Sequence, residues 1–219
     1  MDPTRSFAEL DPAGPPRLVW LRSPAGDGTT VALAGAFDPP TNAHLQVLAA
    51  AARWTGLPGS LLLTKVLLDR PPDLLLPMED RLLLLQGLAD DHDLGFAVCN
   101  RGTYLEMTRA SDRPIVFVVG SDKLPRLEDP SWYPDGEAGV EATRREVRLV
   151  VVPRPGHPVL RDDVAVLEPG EVFDDPATSS LSATDVRTRL RRGEDVSKDL
   201  PTRVGVWLRG YNQDPSRHR

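Results

Sequence analysis

Gly35-Ala36-Phe37-Asp38-Pro39-Pro40-Thr41-Asn42-Ala43-His44 decides the fold. The apolar run Val31-Ala32-Leu33-Ala34 before it predicts a buried strand, and His44 to Ala52 after it is rich in strong helix formers. A strand, a tight turn and a helix N-terminus make an anion site, because unpaired backbone N–H groups and the positive end of the helix dipole face the same point. Gly35 lets the backbone turn and approach a ligand closely. His44 falls at the helix start, where its imidazole adds a donor to a bound phosphate. The expectation is a nucleoside triphosphate on Gly35, Ala36, Phe37, Asp38 and His44.

Outward from this loop, strands and helices alternate. Ser60 to Val66, Phe96 to Cys99, Pro114 to Gly120, Arg148 to Pro153 and Val164 to Leu167 read as strands. Helices are expected from Pro77 to about Ala89, from Thr103 to about Ala110, from Leu124 to Leu127, from Val140 to Glu146, from Ser182 and from Leu200 to near Tyr211. Asp69-Arg70-Pro71-Pro72-Asp73 reads as a loop, since consecutive prolines exclude helix and central strand. Most strands are continuous apolar runs, which indicates strands buried on both faces. The expected fold is α/β, Rossmann-like and doubly wound, with a mainly parallel sheet flanked by helices. Ligands in such sheets bind beyond the carboxyl ends of the strands.

Residues 1–28 form an N-terminal extension, 29–212 the folded domain and 213–219 a polar tail. Met1 to Pro16 is polar and proline-bearing and predicts a loose tail. Arg17 to Arg22 predicts an edge strand, joined as a hairpin through Ser23-Pro24-Ala25-Gly26-Asp27-Gly28 to the strand before the decisive loop.

The chain has 219 residues and a net charge of -6, which argues against nucleic acid as the main partner. Its one cysteine, Cys99, supports neither a disulfide framework nor a cysteine-based metal site. No apolar run is long enough to span a membrane, and Met1-Asp2-Pro3-Thr4 lacks a signal-peptide pattern, so a cytoplasmic protein is expected.

Four stretches fall at strand ends or helix starts: the decisive loop, Gly120-Ser121-Asp122, Pro153-Arg154-Pro155-Gly156 and Ser182-Ala183-Thr184-Asp185-Val186-Arg187. Together they resemble the nucleotidyltransferase superfamily with the T/HxGH signature, and more closely the bacterial nicotinate-nucleotide adenylyltransferases. The resemblance covers about Val31 to Tyr211. Gly35, Phe37, Asp38, Pro39 and His44 match G-x-F-D-P-x-H-x-G-H, with Thr41 in place of the first His and Ala43 in place of Gly. Ser182, Thr184 and Arg187 match S-S-T-x-I/V-R. Gly120-Ser121-Asp122 with Trp132 resembles the nicotinate branch's G-A/S-D…W segment. Val152 to Gly156 resembles its R-P-G strand end. Thr103-Tyr104-Leu105-Glu106-Met107-Thr108 resembles its S-Y-T-x-D-T helix start, with Met107 for Asp, and Pro71-Pro72-Asp73-Leu74 stands for P-P-H-K.

The resemblance implies transfer of AMP from ATP to nicotinate mononucleotide, with His44, Thr41 and Arg187 as catalytic residues. ATP would lie on the loop, on Gly120 and Asp122, and on Ser182, Thr184 and Arg187. The mononucleotide would meet Lys65, Thr103, Tyr104, Trp132 and Arg154. Mg²⁺ would accompany ATP and no protein metal site is expected. The implied partners are these small molecules, with neither nucleic acid nor membrane, and a homo-oligomer is compatible with the sequence. Nicotinamide mononucleotide and phosphopantetheine stay open as acceptors, the second because Thr41-Asn42-Ala43-His44 matches a phosphopantetheine-enzyme pattern. A catalytically inactive nucleotide sensor of the same fold stays open too.

Overall fold

The computed structural model describes residues 3–67, 74–173, 178 and 181–212. The proline-rich loop expected at 69–73 and the tail from Gln213 lie outside the described residues, as do parts of the stretch from 174 to 180.

A seven-stranded sheet carries the fold, in the order β1-β4-β3-β2-β5-β6-β7. Its strands are β1 (Leu18–Arg22), β2 (Thr30–Gly35), β3 (Gly59–Thr64), β4 (Gly95–Cys99), β5 (Ile115–Gly120), β6 (Arg148–Val152) and β7 (Ala165–Val166). All neighbours from β4 to β7 pair parallel, and only β1 is antiparallel. The register aligns Gly35 of β2 with Leu63 of β3, and Thr30 with Ile115 of β5. From β2 the chain builds outward to β3 and β4, then crosses back to β5 on the other side of β2. The topological switch point is therefore between β2 and β5.

Alternate residues of each strand feed opposite faces. Leu61 and Leu63 join one buried cluster, with α2 (Asn42–Thr55), α3 (Met78–Asp91) and residues of α9 (Thr202–Asn212). Leu62 joins the other, with α4 (Tyr104–Ala110), α5 (Leu124–Leu127) and α6 (Glu137–Glu146). Cys99 is a fully buried member of that second cluster. The remaining helices are α1 (Pro3–Ala8), α7 (Pro169–Val172) and α8 (Ala183–Arg191). Among the described residues, no helix is long and apolar enough to cross a membrane.

Two expectations for the N-terminal extension are corrected. The strand at residues 18–22 is an edge strand, but it is no hairpin partner of β2. Leu18 pairs with Cys99 and Trp20 with Ala97, because both sides of β2 are already taken by β3 and β5. The loose tail is instead an ordered segment. Phe7 and Leu10 are buried in the first cluster. Residues beyond β3 and β4 hold its backbone. Lys65 Nζ donates to the carbonyls of Phe7, Ala8 and Leu10 at 3.1, 3.3 and 2.7 Å. The Asn100 amide donates to Asp11 O and Pro15 O at 2.6 and 2.9 Å. Arg101 donates to the carbonyls of Pro12, Ala13 and Gly14. Composition hid this, since the partners are main-chain carbonyls that any sequence provides.

Candidate active site

The ends of β2 and β5 open into a cavity of about 780 Å³, at the switch point. Thirteen of the sequence-predicted site residues line it: Gly35, Ala36, Phe37, Asp38, Thr41, His44, Tyr104, Gly120, Asp122, Arg154, Ser182, Thr184 and Arg187. Lys65, Thr103 and Trp132 do not.

Thr41 is the extended residue before α2, and His44 lies at the third position of the helix. The His44 ring turns back on that start. The Thr41 backbone N–H donates to His44 Nδ1 at 2.9 Å, and the Thr41 hydroxyl lies 2.8 Å from the same nitrogen. A nitrogen that accepts a backbone N–H carries no proton, so the proton of the neutral ring is on Nε2, at the opposite edge. Burial, with Arg154 adding, lowers the His44 pKa to about 4. His44 is thus a neutral Nε2–H donor at pH 7. Thr41 orients that donor: its hydroxyl is directed to the ring rather than to the cavity.

The low pKa has a pH signature with a definite sign. Below about pH 6.5 the unfolded chain binds a proton at this histidine that the folded chain refuses. Stability therefore falls as pH drops from about 6.5 towards 4 and levels off below. The loss expected from this residue is on the order of 2 kcal/mol, since the ring is partly open to the cavity. Chemical denaturation of wild type and His44→Asn from pH 7 to 4 measures it. The variant is expected to lose less stability over that range.

Asp38 is fully buried. Its carboxylate accepts the backbone N–H groups of Leu75 and Leu76 at 2.7 and 2.8 Å. Arg187 Nη1 donates to Asp38 O at 2.6 Å and lies 3.7 Å from Asp38 Oδ2. Asp38, expected at ATP, lines the cavity while its carboxylate ties the loop to residues 75 and 76 and to α8. Arg187 is itself buried, with Nη2 donating to Thr184 Oγ1 at 3.0 Å. Ser182 is the N-cap of α8: its Oγ accepts Asp185 N–H at 3.1 Å, and its hydroxyl is directed to Asp185 Oδ2 at 2.5 Å. As arranged, that proton serves Asp185 rather than a ligand.

Across the cavity, the Asp122 and Arg154 side chains lie over Gly120. A Cβ there would lie 2.3 Å from Asp122 Oδ1 and 3.2 Å from Arg154 Nε, so both side chains fold over the bare backbone. Ser121 Oγ accepts Arg154 N–H at 2.8 Å and donates to His157 O at 2.6 Å, which fixes the turn carrying Arg154. The Arg154 guanidinium stacks 5.6 Å from the Phe173 ring. Burial lowers the Arg154 pKa, Asp122 opposes that, and an arginine in this setting stays cationic.

Three residues expected at the mononucleotide lie outside the cavity lining and have partners of their own. Lys65 is engaged by three carbonyls of the N-terminal segment. Thr103 is the N-cap of α4: its hydroxyl accepts Glu106 N–H at 3.1 Å and donates to the Glu106 carboxylate at 2.9 Å. Trp132 packs against the second core cluster, with Arg126 stacked 5.7 Å from its ring. Tyr104 reaches the cavity, its ring edge-on to Phe117 at 4.8 Å.

Sequence reasoning missed Lys123, Arg126 and His157, which line the cavity, and Arg81. Lys123 and Arg126 follow Gly120-Ser121-Asp122 within two short turns, a signal that was present. Arg81 is almost fully buried on α3 and donates to Ala36 O at 2.9 Å, holding the decisive loop from beneath. Its signal was a lone cation beside Leu82-Leu83-Leu84-Leu85.

Residues 32–189 match the cytidylyltransferase-like family model. The chain belongs to that family, and it is a nucleotidyltransferase. A probable nicotinate-nucleotide adenylyltransferase of Anaeromyxobacter dehalogenans (strain 2CP-1) is 31% identical over 186 residues, covering 78% of this enzyme and 89% of the relative. One of Klebsiella pneumoniae (strain 342) is 29% identical over 119 residues, or 46% and 52% of the two chains. The resemblance to nicotinate-nucleotide adenylyltransferases is thereby borne out. The fold is that of Plasmodium falciparum nicotinic acid mononucleotide adenylyltransferase complexed with NaAD, with a TM-score of 0.60 at 13% identity, covering 84% of this enzyme and 96% of that chain.

Proposed function

We propose that this enzyme transfers AMP from ATP to nicotinate mononucleotide, releasing pyrophosphate and forming the deamido dinucleotide. One observation carries the reading: a neutral His44, its Nε2–H proton fixed by Thr41, at the edge of a cavity lined by Arg154, Arg187, Lys123 and Arg126. The acceptor's 5′-phosphate oxygen attacks the α-phosphorus. A new P–O bond forms there, the bond to the β-phosphate oxygen breaks, and pyrophosphate leaves with its electron pair. The protein's part in such a transfer is positioning and charge stabilisation. His44 donates Nε2–H to the α- or β-phosphate as charge builds. Arg187 and Arg154 supply fixed cations beside it, with planar forks suited to phosphate. The amides at the start of α2 add the helix-terminal field.

The donor set fits Mg²⁺ carried by the nucleotide. Among the described residues no cluster of three or more His, Cys, Asp or Glu could hold a metal, and Asp38 is committed to amides and Arg187. Asp122 is the carboxylate left at the cavity, and an ion held mainly by phosphates and water suits that arrangement. When bound, it would offset phosphate charge.

The relatives' assignment as probable nicotinate-nucleotide adenylyltransferases supports nicotinate mononucleotide as acceptor. The test is pyrophosphate release from ATP and Mg²⁺ with nicotinate mononucleotide, nicotinamide mononucleotide or phosphopantetheine. The highest kcat/KM is expected with nicotinate mononucleotide. Preference for another acceptor would replace the reading, and release with none would point to the nucleotide sensor.

A further inference from the structure

Ala36 and Phe37 line the site cavity. Behind them, on α3, stands Arg81, which lines a separate open cavity of about 680 Å³ and not the site. Arg81 is placed against elementary preference. Its side chain is 1% exposed, and a buried charge is costly unless it is hydrogen-bonded. It is the fourth residue of its helix, near the end where the macrodipole disfavours a cation.

What it holds is a carbonyl of the decisive loop. Arg81 Nη1 donates to Ala36 O at 2.9 Å, and two residues on, Arg187 Nη1 donates to Asp38 O at 2.6 Å. Between these two clamps Phe37 has a φ of 49°, the left-handed region that a residue with a bulky side chain adopts only where its surroundings enforce it. Its ring is buried and tilted against His44, with centroids 5.1 Å apart. The Ala36–Phe37 peptide is trans and planar, so its N–H points opposite to its carbonyl. With the carbonyl drawn back to Arg81, the Phe37 N–H is turned the other way, to the side on which both residues line the site. Among the described residues no acceptor takes this N–H. A hydrogen bond from a cation to the carbonyl also polarises the peptide and strengthens the donor at its other end.

We infer that Arg81 is a positioning residue for the phosphate chemistry: it holds the Ala36–Phe37 peptide with its N–H presented to the nucleotide phosphates, beside His44 Nε2–H. This rests on the adenylyl transfer proposed above. Arg81 itself touches no substrate. The loop then offers two fixed donors, a main-chain one set by Arg81 and an imidazole one set by Thr41, and the Phe37 ring packed on His44 couples them.

Steady-state kinetics of the full chain test this, at a temperature where thermal denaturation shows each variant folded. Replacing Phe37 by its α-hydroxy acid puts an ester in place of that one peptide, which deletes the N–H and keeps the side chain. This change is expected to lower kcat by about tenfold to hundredfold, up to the usual cost of removing one preorganised donor, with the KM for nicotinate mononucleotide within about twofold. Arg81→Met is expected to lower kcat about tenfold, and Arg81→Lys to recover part of that loss, because an ammonium still donates to Ala36 O. The two changes act through one N–H, so Arg81→Met in the ester protein is expected to cost less than about twofold more. Independent contributions would multiply instead, as a merely structural role for Arg81 requires. Wild-type kcat in the ester protein overturns the inference, and so do losses that multiply. Should Arg81→Met not fold, the same cycle is closed with Arg81→Lys. A wild-type chain that turns over no pyridine mononucleotide refutes the proposed reaction instead, so the two failures are told apart by the wild-type control.

Discussion

Replacing His44 with alanine is expected to lower kcat for pyrophosphate release by about 10²–10³, the usual cost of removing one preorganised donor to a developing oxyanion. The size follows from the geometry. Thr41 holds the ring by its Nδ1 edge, through a backbone N–H at 2.9 Å, so no reorganisation is needed when charge builds at Nε2. Burial keeps the ring neutral with a pKa of about 4. The rate should therefore show no inflection from this residue near pH 6.5, where a free histidine titrates. The measurement is a pH–rate profile of wild type beside the variant at pH 7.5. An inflection near 6.5 that disappears in the variant would mean that His44 acts as a titrating acid or base. A fully active variant would remove His44 from the chemistry.

The second large effect concerns Asp38. Asp38→Ala is expected to destabilise the fold by about 3–5 kcal/mol, the range for removing one partner of a buried ion pair. Two backbone amides, Leu75 N–H and Leu76 N–H, would lose their acceptor, and the buried Arg187 would lose its carboxylate. For a chain of this size the melting temperature should fall on the order of 10 °C. Asp38→Asn preserves shape and one acceptor oxygen and should cost less. Thermal denaturation of the two variants, with and without ATP, is the check. A loss below about 1 kcal/mol in Asp38→Ala would show that Arg187 and the two amides find other partners.

Asp38 also marks where the sequence stops being legible. The loop, the strands on either side of the switch point and the helix starts at Thr41 and Ser182 could be read locally, because strand runs, N-caps and the glycine turn are local chemistry. Their convergence on one cavity followed from the parallel topology. What could not be read was the direction of each polar side chain. Asp38, Thr103 and Ser182 sit in motif positions, yet their oxygens serve amides or a neighbouring side chain. Residue type and spacing do not distinguish a group that touches a ligand from one that holds its neighbour. Lys65 shows the same limit over a longer range. Its partners are carbonyls 55 to 58 positions earlier, which no side-chain pattern encodes.

That separation in sequence also orders the assembly of the chain. The N-terminal segment is made well before the groups that hold it, Lys65 and then Asn100 and Arg101. Phe7 and Leu10 have no burial site until β3 and β4 have paired and α3 has packed on them. Contacts of such sequence separation form late, because the loop they close carries a large entropic cost. Residues 3–15 are thus the last piece of this end of the sheet to dock. A bulky group fused to residue 3 would be carried onto the β3–β4 end of the sheet rather than away from it.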